Sequence, residues 1–229
     1  MAGFREPDPA VVQAHPGGSD DPLGESVLDP QQSWCRIFEP KDVRVVIGRH
    51  QNVHREVLVA SCQQDGVPIH RRVSGGGAVV LAPGMLVLAL RLHTTAMAVD
   101  RSLCHIAHAV CQAIQSAGGP RCQVCGHGDV AVGEEDGMRK VLGASIRQRR
   151  HTLYYLGVLL VADAVPLMER YLLPPSRRPD YRGNRDHAAF CTNLACHGLT
   201  TSSLAAQLRG YIEDNQPHLL AADNNACST

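Results

Sequence analysis

An excess of one charge sign, a secretory leader, a long apolar run and a lysine-bearing phosphate loop are all missing from this sequence, and each absence removes a class of function. The 22 Lys and Arg residues cancel the 22 Asp and Glu residues, so global charge argues for neither nucleic acid nor an anionic membrane surface as a partner. Any anion site must be local. Residues 1–30, MAGFREPDPAVVQAHPGGSDDPLGESVLDP, are rich in Pro, Gly and Asp and lack the basic segment and apolar run of a secretory signal. They are expected to be a flexible lead-in. The longest apolar stretches, GMLVLALRL and YLGVLLVADAVPLM, are too short or too broken by Arg91, Asp163 and Pro166 to span a bilayer as a helix. No lysine follows the one glycine cluster at the G-x-x-x-x-G-K-[ST] spacing. These absences predict a cytoplasmic enzyme or binding protein with no nucleic-acid and no membrane partner.

Cysteine is present, nine times, an odd number scattered along the chain. Without an export signal these are expected to be reduced thiols rather than a disulfide frame. Cys122 and Cys125 in CQVCGH, with Cys191, Cys196 and His197 in CTNLACH, have spacings that a zinc site can use. A closed structural site needs four ligands, however, and the second segment is looser than the usual pairs. Small buried hydrophobes are the preferred reading, with no metal ligands assigned.

The element types alternate along the chain. From Val43 the run VRVVIG predicts a β-branched strand ending at Gly48, then a polar turn. A short element breaks at Asp65-Gly66, and Ile69 leads into a glycine-rich segment. AVVLAPGMLVLALRLH reads as a hairpin with Ala82-Pro83-Gly84 as its turn. The period then changes: Leu103, Ile106, Val110 and Ile114 recur every three or four residues, and Gly118-Gly119-Pro120 stops the helix they predict. GDVAVGEEDGMRKVLGASIRQRRHTLYYLGVLLVA predicts a meander of three strands, with a polar turn from Glu134 to Gly137. A helix beginning at Asp163 is stopped by Pro174-Pro175, and a last helix lies around Leu204 to Ile212. The sum is an α+β domain over residues 31–215, a mixed, mostly antiparallel sheet flanked by helices, followed by a polar tail over 216–229.

Two constellations carry chemistry. In HRRVSGGGAVVLAPG, the glycines Gly75, Gly76 and Gly77 strip every side chain from about 10 Å of chain at ~3.3 Å per residue. Glycines in a strand mark a bulge or a place where something approaches the backbone closely. Arg71 and Arg72 before them hold forked donors suited to carboxylate or phosphate, and in a strand they point to opposite faces. The alternative is a glycine-rich bend with two surface arginines. In GDVAVGEEDGMRKVLGAS, Asp129 opens one strand and Lys140 the next, so the two can meet at one end of a hairpin, with Gly143, Ala144 and Ser145 keeping the second strand open. Such a pair suits metal-nucleotide binding and stabilisation of a reacting carbonyl oxygen, or is an ordinary cross-strand ion pair.

RRVSGGGAV followed by DVAVGEEDGMRKVLGASIRQRR resembles the two core motifs of the lipoate-protein ligase and octanoyltransferase family, whose catalytic fold is shared with biotin-protein ligases. The likeness runs from about Trp34 to Leu194 and includes VVIGRHQN and LYYLGVLL. The resemblance implies that Arg71, Ser74, Gly75, Gly76, Gly77 and Ala78, together with Asp129, Gly143, Ala144 and Ser145, line an acyl-adenylate pocket. It makes Lys140 the catalytic lysine that binds the acyl carbonyl oxygen, and puts Asp129 near the phosphates and any Mg²⁺. It implies ATP and lipoate or octanoate as substrates. The acceptor would be a lysine on a lipoyl-domain protein of the E2 or glycine-cleavage H type.

The sequence departs from the family pattern where many ligases carry histidines: Leu81 follows the glycine run, and Leu156-Gly157-Val158 stands where a histidine precedes a Gly-Thr step. Only a short stretch follows TNL, which raises the expectation of an accessory subunit. Two other readings therefore stand beside the ligase. A cysteine, Cys125 or Cys191, would carry the acyl group as a thioester in an octanoyl or lipoyl transferase. A non-catalytic or split-ligase subunit would only bind lipoyl proteins. Arg147, Arg149 and Arg150, and the basic loop LLPPSRRPDYRGNRDHAAFCTNL, are further candidates for contact with adenylate or carrier.

Overall fold

Val45, Val46 and Ile47 are wholly buried, as a β-branched run requires, and they form the middle of a small sheet. In the computed structural model, which describes residues 12, 21–93, 99–134 and 137–215, this strand is β2 (Arg44–Ile47). It pairs in parallel with β3 (Ile69–Arg71) and antiparallel with β4 (Val79–Leu81). The parallel pairing needs a crossover, which α1 (Val53–Glu56) and α2 (Val59–Gln64) supply.

The large sheet has six strands: β1 (Cys35–Phe38), β5 (Met85–His93), β6 (Cys122–Cys125), β7 (Asp129–Val132), β8 (Arg139–Arg149) and β9 (Thr152–Leu160). Their order is β1-β5-β9-β8-β7-β6, and every pairing is antiparallel. The expected meander is β7, β8 and β9, and β6 extends it by an edge strand that the sequence did not announce. Residues 135 and 136 of the expected polar turn lie outside the described residues, and Gly137 N donates to Glu134 O across it at 2.8 Å.

Side-chain alternation along β9 divides the molecule into two cores. Leu153, Tyr155 and Leu159 face α3 (Val99–Ser116) and α5 (Thr201–Asp214), whereas Tyr154, Leu156, Val158 and Leu160 face the small sheet and α4 (Val165–Tyr171). The expected periodic helix is α3: Ile106, Val110 and Ile114 are fully buried, and Gly119 N donating to Ile114 O closes its end.

One expectation is corrected. Ala82-Pro83-Gly84 does not turn a hairpin: β4 pairs with β2 in the small sheet, while β5 pairs with β1 and β9 in the large one. Met85 through Leu90 are all buried, so β5 needs a neighbour on each side and a layer on each face. Turn residues fix a reversal of direction, not the strand that will be the partner. In the lead-in, Leu23 and Val27 are fully buried, and Leu23 O accepts from the buried Tyr154 Oη at 3.0 Å. The expected tail, 216–229, lies outside the described residues. No helix among the described residues is long and apolar enough to cross a membrane.

Candidate active site

The register of β8 against β7 slips by one residue, since Ala131 opposes Lys140 and Val130 opposes Leu142. The extra residue, Val141, is a β-bulge, and its effect is on facing. Val141 and Leu142 both enter the helix-side core. Lys140 and Gly143, which simple alternation would put on opposite faces, therefore share the face that looks toward the small sheet. A side chain on Gly143 would lie 2.8 Å from Lys140 Cε and 3.0 Å from Nζ, so this glycine is the space in which the lysine lies. Lys140 Nζ donates to Asp129 Oδ2 at 3.0 Å. Both side chains are largely shielded from solvent.

The glycine loop joins β3 to β4 and reaches across to β8. Arg72 holds it from inside: 4% exposed, it donates from Nε and Nη2 to Gly75 O, from Nη2 to Gly77 O at 2.8 Å and from Nη1 to Val46 O. Burial lowers its pKa to about 10, which still leaves it charged at neutral pH. Ser74 Oγ meets Ser145 Oγ at 2.9 Å, and Gly75 N donates to Ile146 O at 3.2 Å. Gly76 has φ +88°, a left-handed conformation that favours glycine. Gly48 is equally constrained, because a Cβ there would sit 2.0 Å from Gly76 O.

A cavity of about 430 Å³ lies between the loop, β8 and β9 on one side and α4 with the segment Pro175–Cys191 on the other. Leu156, Val158 and Leu160 from alternate positions of β9, with Met168 of α4 and Leu172 just past its end, make an apolar wall. Arg72, Lys140, Arg177, Arg178 and Arg182 supply positive charge around it, against one carboxylate, that of Asp129, among the described residues. A chain with no net charge thus concentrates cations at one place. The arrangement suits a ligand with an apolar tail and an anionic head.

Of the residues named from sequence, Gly76, Gly77, Ala78, Asp129, Lys140, Gly143, Ala144, Ser145 and Cys191 line this cavity. Ser74 and Gly75 brace it from behind. Arg71 is not in the lining: its Nη1 donates to the carbonyls of Gly48, Arg49 and Gln51 at 3.0, 3.1 and 2.9 Å. Of this adjacent pair, the arginine in the lining is Arg72. Cys125, Leu81, Arg147, Arg149 and Arg150 are not in the lining either, and Leu81 is fully buried in the small-sheet core.

Most of the lining residues that the sequence reading did not name singly come from one segment, the basic loop it offered as a candidate contact. Arg177, Arg178, Pro179, Arg182, His187 and Phe190 all line the cavity. Their signal in the sequence was the density of Arg and Pro in LLPPSRRPDYRGNRDHAAF. Tyr181 Oη donates to Asp129 Oδ2 at 2.8 Å, and Thr192 N donates to Lys140 O at 3.0 Å, which bridges Cys191 to the start of β8.

Burial raises the Cys191 thiol even though Lys140 and Arg182 pull it down, and burial followed by the Asp129 charge raises Cys125. Both are therefore protonated at neutral pH. The described cysteines are all free thiols. No three His, Cys, Asp or Glu side chains gather as a metal cluster among the described residues.

A family model described as the lipoyl protein ligase A/B catalytic domain matches residues 20–210. Among solved structures, the chain is similar to that of an archaeal lipoylation system from Thermoplasma acidophilum, a bi-partite lipoate protein ligase and its E2 lipoyl domain. There the TM-score is 0.72 at 18% identity, over 85% of this chain and 77% of that one. It is also similar to a lipoate-protein ligase A bound with ATP, with TM-score 0.68 at 17% identity over 85% and 78% of the two chains. A third similar structure is P. falciparum LipL1 in complex with lipoate, with TM-score 0.61 at 17% identity over 85% and 52%. At these identities the likeness is one of fold.

Proposed function

Because the chain belongs to the lipoyl protein ligase A/B catalytic-domain family, we propose that it activates lipoate, or a similar acid such as octanoate, with ATP and passes the acyl group to a lysine of a lipoyl-domain protein. The observation that carries this reading is Lys140 Nζ on the cavity wall, paired with Asp129 and housed by Gly143, between an apolar surface and a ring of cations. In the first step a carboxylate oxygen of the acid bonds to the α-phosphorus of ATP and pyrophosphate leaves. In the second, the acceptor's neutral ε-amine bonds to the acyl carbonyl carbon, the bond from that carbon to the phosphate oxygen breaks, AMP leaves and the amine gives up a proton to solvent.

The residues have separate tasks in both steps. Leu156, Val158, Met168 and Leu172 exclude water from the acyl chain, and Gly76, Gly77 and Ala78 let it pass close to the backbone. The Lys140 ammonium faces the carbonyl oxygen, where negative charge grows during attack in a partly dry site. Arg177, Arg178 and Arg182 offset the phosphate charge. Magnesium keeps mostly water and phosphate oxygens as ligands. Asp129, whose carboxylate lines the wall, is the residue that would share such an ion, whose chemistry would be to screen the phosphates.

Lipoate and α-labelled ATP, incubated with the protein, are expected to give labelled lipoyl-AMP. Lys140→Ala is expected to lower its formation about 100-fold or more. A partner chain added to the mixture distinguishes a split ligase from a self-sufficient one. Absence of adenylate under both conditions would reject the reading.

Cys191 supports a second reading, since it lies in the cavity beside Lys140 whereas Cys125 does not. If Cys191 carries the acyl group as a thioester, Cys191→Ala will abolish transfer from an acyl-carrier thioester. The raised thiol favours the ligase.

A further inference from the structure

Asp129 Oδ2 accepts two hydrogen bonds at once, from Lys140 Nζ at 3.0 Å and from Tyr181 Oη at 2.8 Å. Tyr181 is not itself part of the cavity wall. It sits in the short turn Asp180–Arg182, with its ring 5.1 Å from that of Phe190. Lys140 Nζ and the Arg182 guanidinium lie over the Phe190 ring, at 5.7 and 4.7 Å from its centre. The phenol, pushed upward by burial and by the Asp129 charge, stays a hydrogen donor throughout the neutral range.

We propose that Tyr181 is a positioning residue for Lys140, acting through Asp129. The proposal rests on the reading that Lys140 meets the acyl carbonyl. An ammonium has three N–H donors, and a carboxylate with no other partner would draw that ammonium onto itself. By hydrogen-bonding the same oxygen, Tyr181 takes up part of the negative charge and fixes the rotation of the carboxylate. Lys140 then gives one N–H to Asp129 and keeps the others for the substrate. Because Tyr181 belongs to the segment that forms one wall of the cavity, the placement of that wall is coupled to the direction of the ammonium.

A double-mutant cycle with Tyr181→Phe and Asp129→Asn tests this. Tyr181→Phe keeps the ring and its packing on Phe190. It is expected to lower kcat for adenylate formation about tenfold, as loss of one hydrogen bond to a charged group would, with KM for lipoate changed less than about twofold. In the Asp129→Asn background the same change is expected to add nothing. A tyrosine that only packs would leave kcat unchanged, or lower it equally in both backgrounds, and either outcome overturns the proposal.

Competitive acetylation of lysines by acetic anhydride, resolved by mass spectrometry, gives a readout that needs no catalysis. Lys140 is expected to label about threefold more slowly in Tyr181→Phe, because the ammonium is drawn closer to Asp129. Unchanged labelling contradicts the coupling. Full activity of Lys140→Ala would refute the proposed function alone, with the labelling experiment still able to decide the role of Tyr181.

Discussion

The two walls of the cavity are both held by arginines bonded to backbone carbonyls, yet they are anchored in different things. On the glycine-loop side, Arg72 is buried in the small-sheet core and grips Gly75, Gly77 and Val46. On the opposite side, Arg139 donates to Ala188 O and Cys191 O, Arg182 and Arg185 bond each other's carbonyls, and Arg185 also reaches Met138 O at 2.7 Å. Here the link into the site runs through Tyr181 to the charged pair itself. The first wall is set by the core and the second by the chemistry.

Removing the inner clamp is expected to do the most damage. Arg72→Ala takes the guanidinium donors away from the carbonyls of Gly75, Gly77 and Val46 and is expected to cost about 3 kcal/mol, read as a lower urea midpoint. Its neighbour is a control: Arg71→Ala, outside the cavity, is expected to cost roughly 1–2 kcal/mol and leave the affinity for substrate largely intact. If Arg71→Ala proves the more harmful to substrate binding, the assignment of the lining arginine is wrong.

Next in size is Gly143→Val. Its Cβ would overlap Lys140 Cε, so activity is expected to fall by about tenfold to 100-fold, with stability changed by less than about 1 kcal/mol. Equal losses of stability and activity would show that Gly143 serves the sheet rather than the lysine. On the second wall, Arg185→Ala is expected to cost about 1 kcal/mol locally. Hydrogen exchange of residues 180–190 should quicken while the glycine loop is unaffected.

The smallest effect is one of pH. Burial, followed by the Arg182 charge, holds the His187 imidazole below its ordinary 6.5, so the unfolded chain binds the proton first. Stability contributed here is present above about pH 6.5 and is lost as pH falls through the lower folded value. His187→Gln is expected to flatten that limb of a thermal-unfolding profile. A limb of unchanged slope would place the acid sensitivity elsewhere.

The same contrast explains what could be read from residues alone. The glycine run, Lys140, Asp129 and Ser145 were named through the resemblance of their two motifs to the family, since spacing alone left a glycine-rich bend and an ordinary ion pair open. Which of Arg71 and Arg72 faces the cavity was not legible, since β3 ends at Arg71 and the next side chain's direction is set by a loop whose shape depends on Gly48 and Ser145. The helix α3 and the β7-β8-β9 meander followed from periodicity. The false hairpin at Pro83 did not, because pairing partners are chosen by burial on both faces of β5. The second wall has little regular structure, and its residues meet the site only through contacts spanning about fifty positions, such as Tyr181 with Asp129.

The most direct test of the account is calorimetric titration with a non-hydrolysable sulfamate analogue of lipoyl-AMP. Saturable binding to the wild-type chain, weakened at least about tenfold in Lys140→Ala, is the predicted result. No binding to the wild type, or equal binding to both, would contradict the claim that this cavity is an acyl-adenylate site.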